Sequence, residues 1–117
     1  NETKIIIEKQ DKETKQKLQG VEFQLLDENK NVLYTNLQTG SDGRIKIENI
    51  IPGTYYIKET RTVSGYEIYE DLIEVNVNLN EEITVVVNNQ KEEKPEIEKT
   101  VDKKEISYQK ILPVTGM

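Results

Sequence analysis

Neither cysteine nor histidine occurs anywhere in the 117 residues. Their absence removes thiol nucleophiles, thiolate and imidazole metal sites, and the side chain most often used as a general base. A conventional enzyme is therefore not expected, and no cofactor is implied. Disulfides, which brace many small secreted domains, are excluded too, which raises the question of what else staples the fold. Positive charge is in short supply: 22 acidic residues face 16 basic ones, for a formal charge of −6. With no basic patch to offset it, such a surface repels phosphate backbones, so nucleic acid is not an expected partner. No run is long and apolar enough to span a bilayer. The opening residues, NETKIIIEKQ, carry neither an initiator Met nor the apolar stretch of a signal peptide. On that account the chain reads as a fragment.

What is present is an even mixture of hydrophobic residues (34%) and charged residues (32%). That mixture fits one compact domain with a polar extension, in a chain too short for two independent cores. From residue 3 to about 90, short β-branched segments alternate in polarity and are separated by turn residues, the pattern of an all-β sandwich. Seven strands are expected, over residues 4–10, 21–27, 32–37, 44–48, 54–60, 72–78 and 82–89. Asp42-Gly43 and Pro52-Gly53 supply turn chemistry between them, and Gly65 and Asn80 close two further connections. Alternation places Ile5, Ile7, Phe23, Leu25, Ile45, Ile47, Tyr55, Ile57, Ile73, Val75, Val77, Ile83, Val85 and Val87 in the core.

After Gln90 the character changes. QKEEKPEIEKTVDKKEISYQK mixes both signs of charge, isolates its apolar residues and contains Pro95. Residues 91–111 are expected to form a flexible, solvated tether. A short terminal helix over 96–108 is the alternative, since Lys/Glu-rich sequence has helix propensity.

The chain ends in Leu112-Pro113-Val114-Thr115-Gly116, followed by Met117. LPVTG resembles the LPxTG sorting signal of Gram-positive wall-anchored proteins. The resemblance implies that a sortase cysteine attacks the Thr115 carbonyl and breaks the bond between Thr115 and Gly116. The acyl group then passes to an amine of the peptidoglycan precursor or of a pilin lysine. Extended backbone ahead of Pro113 and a small Gly116 suit a groove that must admit a nucleophile. The apolar segment and basic tail that follow this motif in the family are not in residues 112–117.

Residues 4–90 resemble the Cna B-type (SpaA-like, prealbumin-like) domains of Gram-positive adhesins and pilins. KIIIEKQDKETKQKLQGVEFQLLD resembles the first two strands of such a domain, and TGSDGRIKIENIIPGTYYIKETRTVSGYEI its Asp-Gly turn, Pro-Gly-x-Tyr strand and glutamate box. The sequence departs from the family at Val63-Ser64, where many members have a Pro before the Gly-Tyr pair. The resemblance implies a seven-stranded Greek-key sandwich of prealbumin or immunoglobulin type. It also implies an autocatalytic isopeptide bond between a first-strand Lys and a last-strand Asn, assisted by a carboxylic acid. Carried onto this sequence, Lys9 is the nucleophile, Glu59 the assisting acid and Asn89 the acceptor, with Asn88 as the alternative acceptor.

Alternation by itself permits that trio. Lys9 shares a face with Ile5 and Ile7, Glu59 with Tyr55 and Ile57, and Asn89 with Ile83, Val85 and Val87, whereas Asn88 falls on the other face with Val86. The chemistry needs burial, because an apolar surrounding disfavours charge and so favours a neutral amine beside a protonated carboxyl. Lys9 then attacks the Asn89 side-chain carbonyl while Glu59 supports the developing oxyanion and shuttles protons, and ammonia leaves. The bland alternative has Lys9 reaching water, Glu59 on a solvated face and Asn89 capping a turn.

Asp27, Asn29 and Asn31, and Asp42 near Glu48, are assigned to turns rather than to calcium, because their spacing lacks the regular oxygens of a calcium loop. Tyr55, Tyr56, Tyr66 and Tyr69 are assigned to core and edge packing. The expected organisation is a domain over 1–90, a tether over 91–111 and a sorting sequence over 112–117. The expected role is a structural module of a secreted pilin or adhesin anchored covalently to the wall. Its partners would be a sortase, an acyl-accepting amine, other pilin subunits or host surface proteins. Two other readings stay open: a module that grips a host protein or glycan, and the accessory domain of a secreted wall-anchored enzyme.

Overall fold

A computed structural model describes residues 2–93. The tether, the alternative helix at 96–108 and the LPVTG sequence lie outside the described residues, apart from the first few tether positions. Seven strands are present: β1 (Lys4–Asp11), β2 (Glu22–Leu26), β3 (Val32–Gln38), β4 (Arg44–Ile47), β5 (Gly53–Arg61), β6 (Ile73–Val77) and β7 (Glu82–Asn89). Each end lies within one residue of its sequence-based position. β-Branched and aromatic residues fit a pleated, half-buried surface, and here they alternate without a helical period.

The strands form two packed sheets. One has the order β4-β1-β7 and the other β3-β2-β5-β6. All pairings are antiparallel except β1 with β7, which run parallel in continuous register from Lys4↔Glu82 to Asp11↔Asn89. The first strand is therefore the middle strand of its sheet, and the last strand lies beside it.

The inner faces of the two sheets enclose the core. Ile5, Ile7, Phe23, Leu25, Ile57, Val75, Val77 and Val87 are almost wholly shielded from water, as alternation predicts. Three expected members, Ile73, Ile83 and Val85, pack against the core but are only partly buried. They sit on β6 and β7, which are hydrogen-bonded to a neighbour on one side only. Leu18, Val21 and Ile50 complete the cluster from outside the strands. Ile6 is buried on the opposite face of β1, where Lys46 and Thr84 flank it from the adjacent strands.

One connection bears directly on the site. Gly43 has φ +74°, and a Cβ there would lie 2.8 Å from the Cβ of Lys17 and 3.0 Å from the carbonyl oxygen of Lys9. The Gly43 carbonyl accepts a hydrogen bond from the Lys9 amide at 2.8 Å. Only glycine allows the Asp42-Gly43 turn to approach β1 this closely while keeping a left-handed backbone.

Candidate functional site

Three polar side chains point into the apolar interior near one end of the sandwich. Lys9 on β1 and Asn89 on β7 come from one sheet, and Glu59 on β5 comes from the other. Their relative exposures are 0%, 1% and 4% respectively. The strand geometry explains the placement: Lys9 continues the inward row of Ile5 and Ile7, Glu59 that of Tyr55 and Ile57, and Asn89 that of Val87.

Glu59 joins the other two. Its Oε1 lies 3.5 Å from Lys9 Nζ, and its Oε2 accepts a 2.6 Å hydrogen bond from Asn89 Nδ2. Lys9 Nζ also donates to the Val87 carbonyl at 3.1 Å, two residues before Asn89 on the same strand. The backbone amide of Tyr69 donates to Glu59 Oε2 at 3.2 Å. Asn89 Nδ2 makes a second bond, to Thr62 Oγ1 at 3.0 Å. Two buried side-chain atoms among the described residues have no hydrogen-bond partner, Glu59 Oε1 and Asn89 Oδ1.

Burial pulls the Lys9 ammonium down from its ordinary value to about 8, and the neighbouring Glu59 carboxylate offsets part of that fall. Burial thus makes the neutral, nucleophilic amine far more accessible than it is for a solvated lysine. A buried amine and a buried primary amide that both touch one carboxyl have the groups needed to exchange one amide for another. The amine attacks the side-chain carbonyl carbon, the acid manages the protons, and ammonia departs. Asn88 is placed differently: it is half-buried and its Oδ1 accepts from Gln10 Nε2 at 2.9 Å, on the outer face.

A second polar cluster lies beside this one and was not singled out from the sequence. Asp11, 2% exposed, accepts hydrogen bonds from the amides of Glu13 (2.7 Å) and Thr14 (2.9 Å) and from the Tyr66 hydroxyl (2.7 Å). Lys91 Nζ stands 3.9 Å from the same carboxyl. The Thr14 amide, then the Tyr66 hydroxyl, hold Asp11 at about 2, and the same contact raises the Tyr66 phenol above its usual range. Thr62 was also missed, because it lies just beyond β5 where strand alternation no longer says which way a side chain points. An Asp followed by polar turn residues is a visible signal for Asp11, but its pairing with Tyr66, 55 residues away, has none.

Several of the remaining polar groups serve turns and packing. Asp27 Oδ1 accepts from the amides of Asn29 and Asn31, and Asp42 Oδ1 from that of Arg44. No cluster of His, Cys, Asp or Glu suited to a metal ion exists among the described residues. Tyr55 is buried and its hydroxyl donates to the Ile51 carbonyl, while Tyr56 carries the Lys30 ammonium 4.8 Å from its ring centroid. Tyr66 packs against the core, and Tyr69 is exposed.

The two-sheet arrangement, with its last strand parallel to its first, defines an all-β sandwich of prealbumin type. The family model described as SpaA, prealbumin-like fold domain, matches residues 3–91, and the chain belongs to that family. Among solved structures, the minor pilin of Streptococcus agalactiae is similar at 29% identity and a TM-score of 0.74, over 80% of this chain and 46% of that one. The group B streptococcus pilus 2b backbone protein is similar at 28% identity and a TM-score of 0.67, over 78% of this chain and 42% of that one. The TIE protein of Bacillus anthracis is similar at 28% identity and a TM-score of 0.69, over 75% of this chain and 17% of that one. The chain thus spans less than half the length of each of these proteins. No curated protein matches it.

Proposed function

We propose that this chain is a structural module of a Gram-positive surface protein, a pilin or adhesin, whose sandwich is welded by an isopeptide bond between Lys9 and Asn89. Glu59 is the assisting acid. The observation that carries this reading is the buried cluster itself: Glu59 touches Lys9 through one oxygen and Asn89 through the other, inside an apolar core. Burying an ammonium and a carboxylate is costly even when they are paired, so a cluster with two unsatisfied atoms is poorly explained by stability alone. A reaction that consumes the amine and the primary amide removes that cost.

The pilin relatives support a surface-exposed structural role, since two of them are a minor pilin and a pilus backbone protein. The LPVTG sequence at residues 112–116 supports attachment by a sortase to a peptidoglycan precursor or a pilin lysine. In that arrangement the secreted protein is held covalently at the wall, and the segment after residue 90 acts as the tether. No described helix is long and apolar enough to cross a membrane.

Intact mass under denaturing conditions tests the weld. The wild-type chain is expected to be lighter than its sequence by one ammonia, and Lys9→Ala and Glu59→Ala to keep the full mass. A wild-type chain of full mass refutes the bond. Incubation with a sortase and an amine donor tests the anchor, with cleavage expected after Thr115. An intact chain under conditions that cleave a control LPxTG peptide counts against it.

A further inference from the structure

Thr62 is the group near the reaction centre that neither the sequence nor the weld as described above puts to use. Its Oγ1 and Glu59 Oε2 both contact one atom of the Asn89 amide, Nδ2, at 3.0 and 2.6 Å. The other atom of that amide, Oδ1, is buried without a partner. This is the arrangement an ionised Glu59 favours, because a carboxylate needs a donor and the amide NH₂ supplies one.

Reaction changes that preference. Once the Lys9 ammonium has passed a proton to the Glu59 carboxylate, Glu59 carries an O–H, and the Thr62 hydroxyl can turn to donate as well. A half-turn of the amide about its side-chain bond exchanges Nδ2 and Oδ1, so the carbonyl oxygen comes to lie between two hydroxyl donors. We propose that Thr62 is a catalytic residue of the weld, supplying with Glu59 the second of two hydrogen bonds to the Asn89 Oδ1 as it becomes an oxyanion. The proposal rests on the Lys9–Asn89 reading given above.

The steps balance. The neutral Lys9 amine bonds to Asn89 Cγ, and the carbonyl π pair moves onto Oδ1, held by Glu59 and Thr62. Glu59 gives its proton to Nδ2 and takes one from the attached Lys9 nitrogen. The Cγ–Nδ2 bond then breaks, ammonia leaves and the carbonyl re-forms, now hydrogen-bonded to both hydroxyls. The other polar groups around the cluster are engaged elsewhere. The Tyr69 amide is directed at Glu59 Oε2, and Lys9 Nζ at Val87 and Glu59 Oε1. Thr62 is accordingly the one further side chain in hydrogen-bond contact with the amide among the described residues, as acceptor now and, with its hydroxyl turned, as donor.

The test is a time course on the full chain, made by cell-free synthesis and sampled by denaturing intact mass as ammonia is lost. Thr62→Val keeps the shape and removes the hydroxyl, and is expected to slow the loss about 100-fold, the order found when one oxyanion donor is deleted. Thr62→Ser, which restores the hydroxyl, is expected to react within a few-fold of wild type. The pH profile of the rate should keep its shape in both variants, since Thr62 does not titrate. Wild-type speed in Thr62→Val overturns the proposal and leaves the weld standing. Should Thr62→Val fail to fold, Thr62→Ser decides: a rate as slow as that of Thr62→Ala overturns the proposal. A wild-type chain that never loses ammonia overturns the weld itself, and this proposal with it.

Discussion

A single proton governs the chemistry of the Lys9–Glu59 pair. With one proton between them, the two groups form an ion pair or, after internal transfer, the neutral amine and acid that the proposed reaction requires. The two forms carry the same number of protons, so their ratio does not depend on pH. Above pH 8, where the Lys9 amine loses its proton, the pair is left without an acid. The rate of ammonia loss is therefore expected to be level towards neutral pH and to fall as pH rises through about 8; a rate that climbs with alkalinity would exclude Glu59 as the acid. Asp11 gives a stability prediction of definite sign. Its folded value, about 2, lies below the ordinary 3.8, so its stabilising effect is complete above about pH 4 and is lost as pH falls towards 2. Denaturant midpoints of Asp11→Asn measured at several pH values should show a shallower acid slope than wild type. If the slope is unchanged, the carboxyl and its contact with Tyr66 are not what acid attacks.

Among the elements, β1, β5 and β7 were the most legible, because a strict two-residue period fixes both the buried row and the polar residue that continues it. That is why Lys9, Glu59 and Asn89 could be placed on the inner faces without knowledge of which strand pairs with which. Leu18 and Ile50 were not legible as core, since they enter it from connections where no period applies, whereas Val21 extends the inward row of Phe23 and Leu25 by one period. Nor was the half-burial of Ile73, Ile83 and Val85, because the sequence does not say which strands stand at a sheet edge. Alternation also failed at Ile6, which a middle-strand position buries on the outer face. The difference between inner and outer rows is testable. Ile57→Ala, at a fully buried position on β5, should cost about 2–5 kcal/mol through lost burial and a cavity. Val86→Ala, 46% exposed on the outer face of β7, should stay within about 0.5 kcal/mol. Equal costs in chemical denaturation would mean that the two faces of the sandwich are not distinguished by packing.

For the whole molecule, a Lys9–Asn89 bond closes a loop of about 80 residues, which on the chain-entropy account stabilises by about 4–5 kcal/mol. The proposed weld would matter more under load. Tension that enters before Lys4 and leaves after Asn89 would cross from β1 to β7 through one covalent bond, and the rest of the sandwich would stay slack. Single-molecule stretching of the wild-type chain should show almost no gain in length from the domain, and Lys9→Ala should release most of residues 9–89. Equal extension in both would show that the weld does not bear the force.

The parallel pairing of β1 with β7 also sets an order of events. The strand made first belongs in the middle of its sheet, yet one of its two neighbours is the strand made last. As the chain emerges, β1 must wait with half of its hydrogen-bonding edge open until about 70 more residues have followed, and contacts of such long sequence separation form slowly. Because Asn89 rides on that final strand, the proposed bond could not close until the whole domain had been made. Were the chain exported as it is extended, it would stay pliable in transit and harden only on arrival.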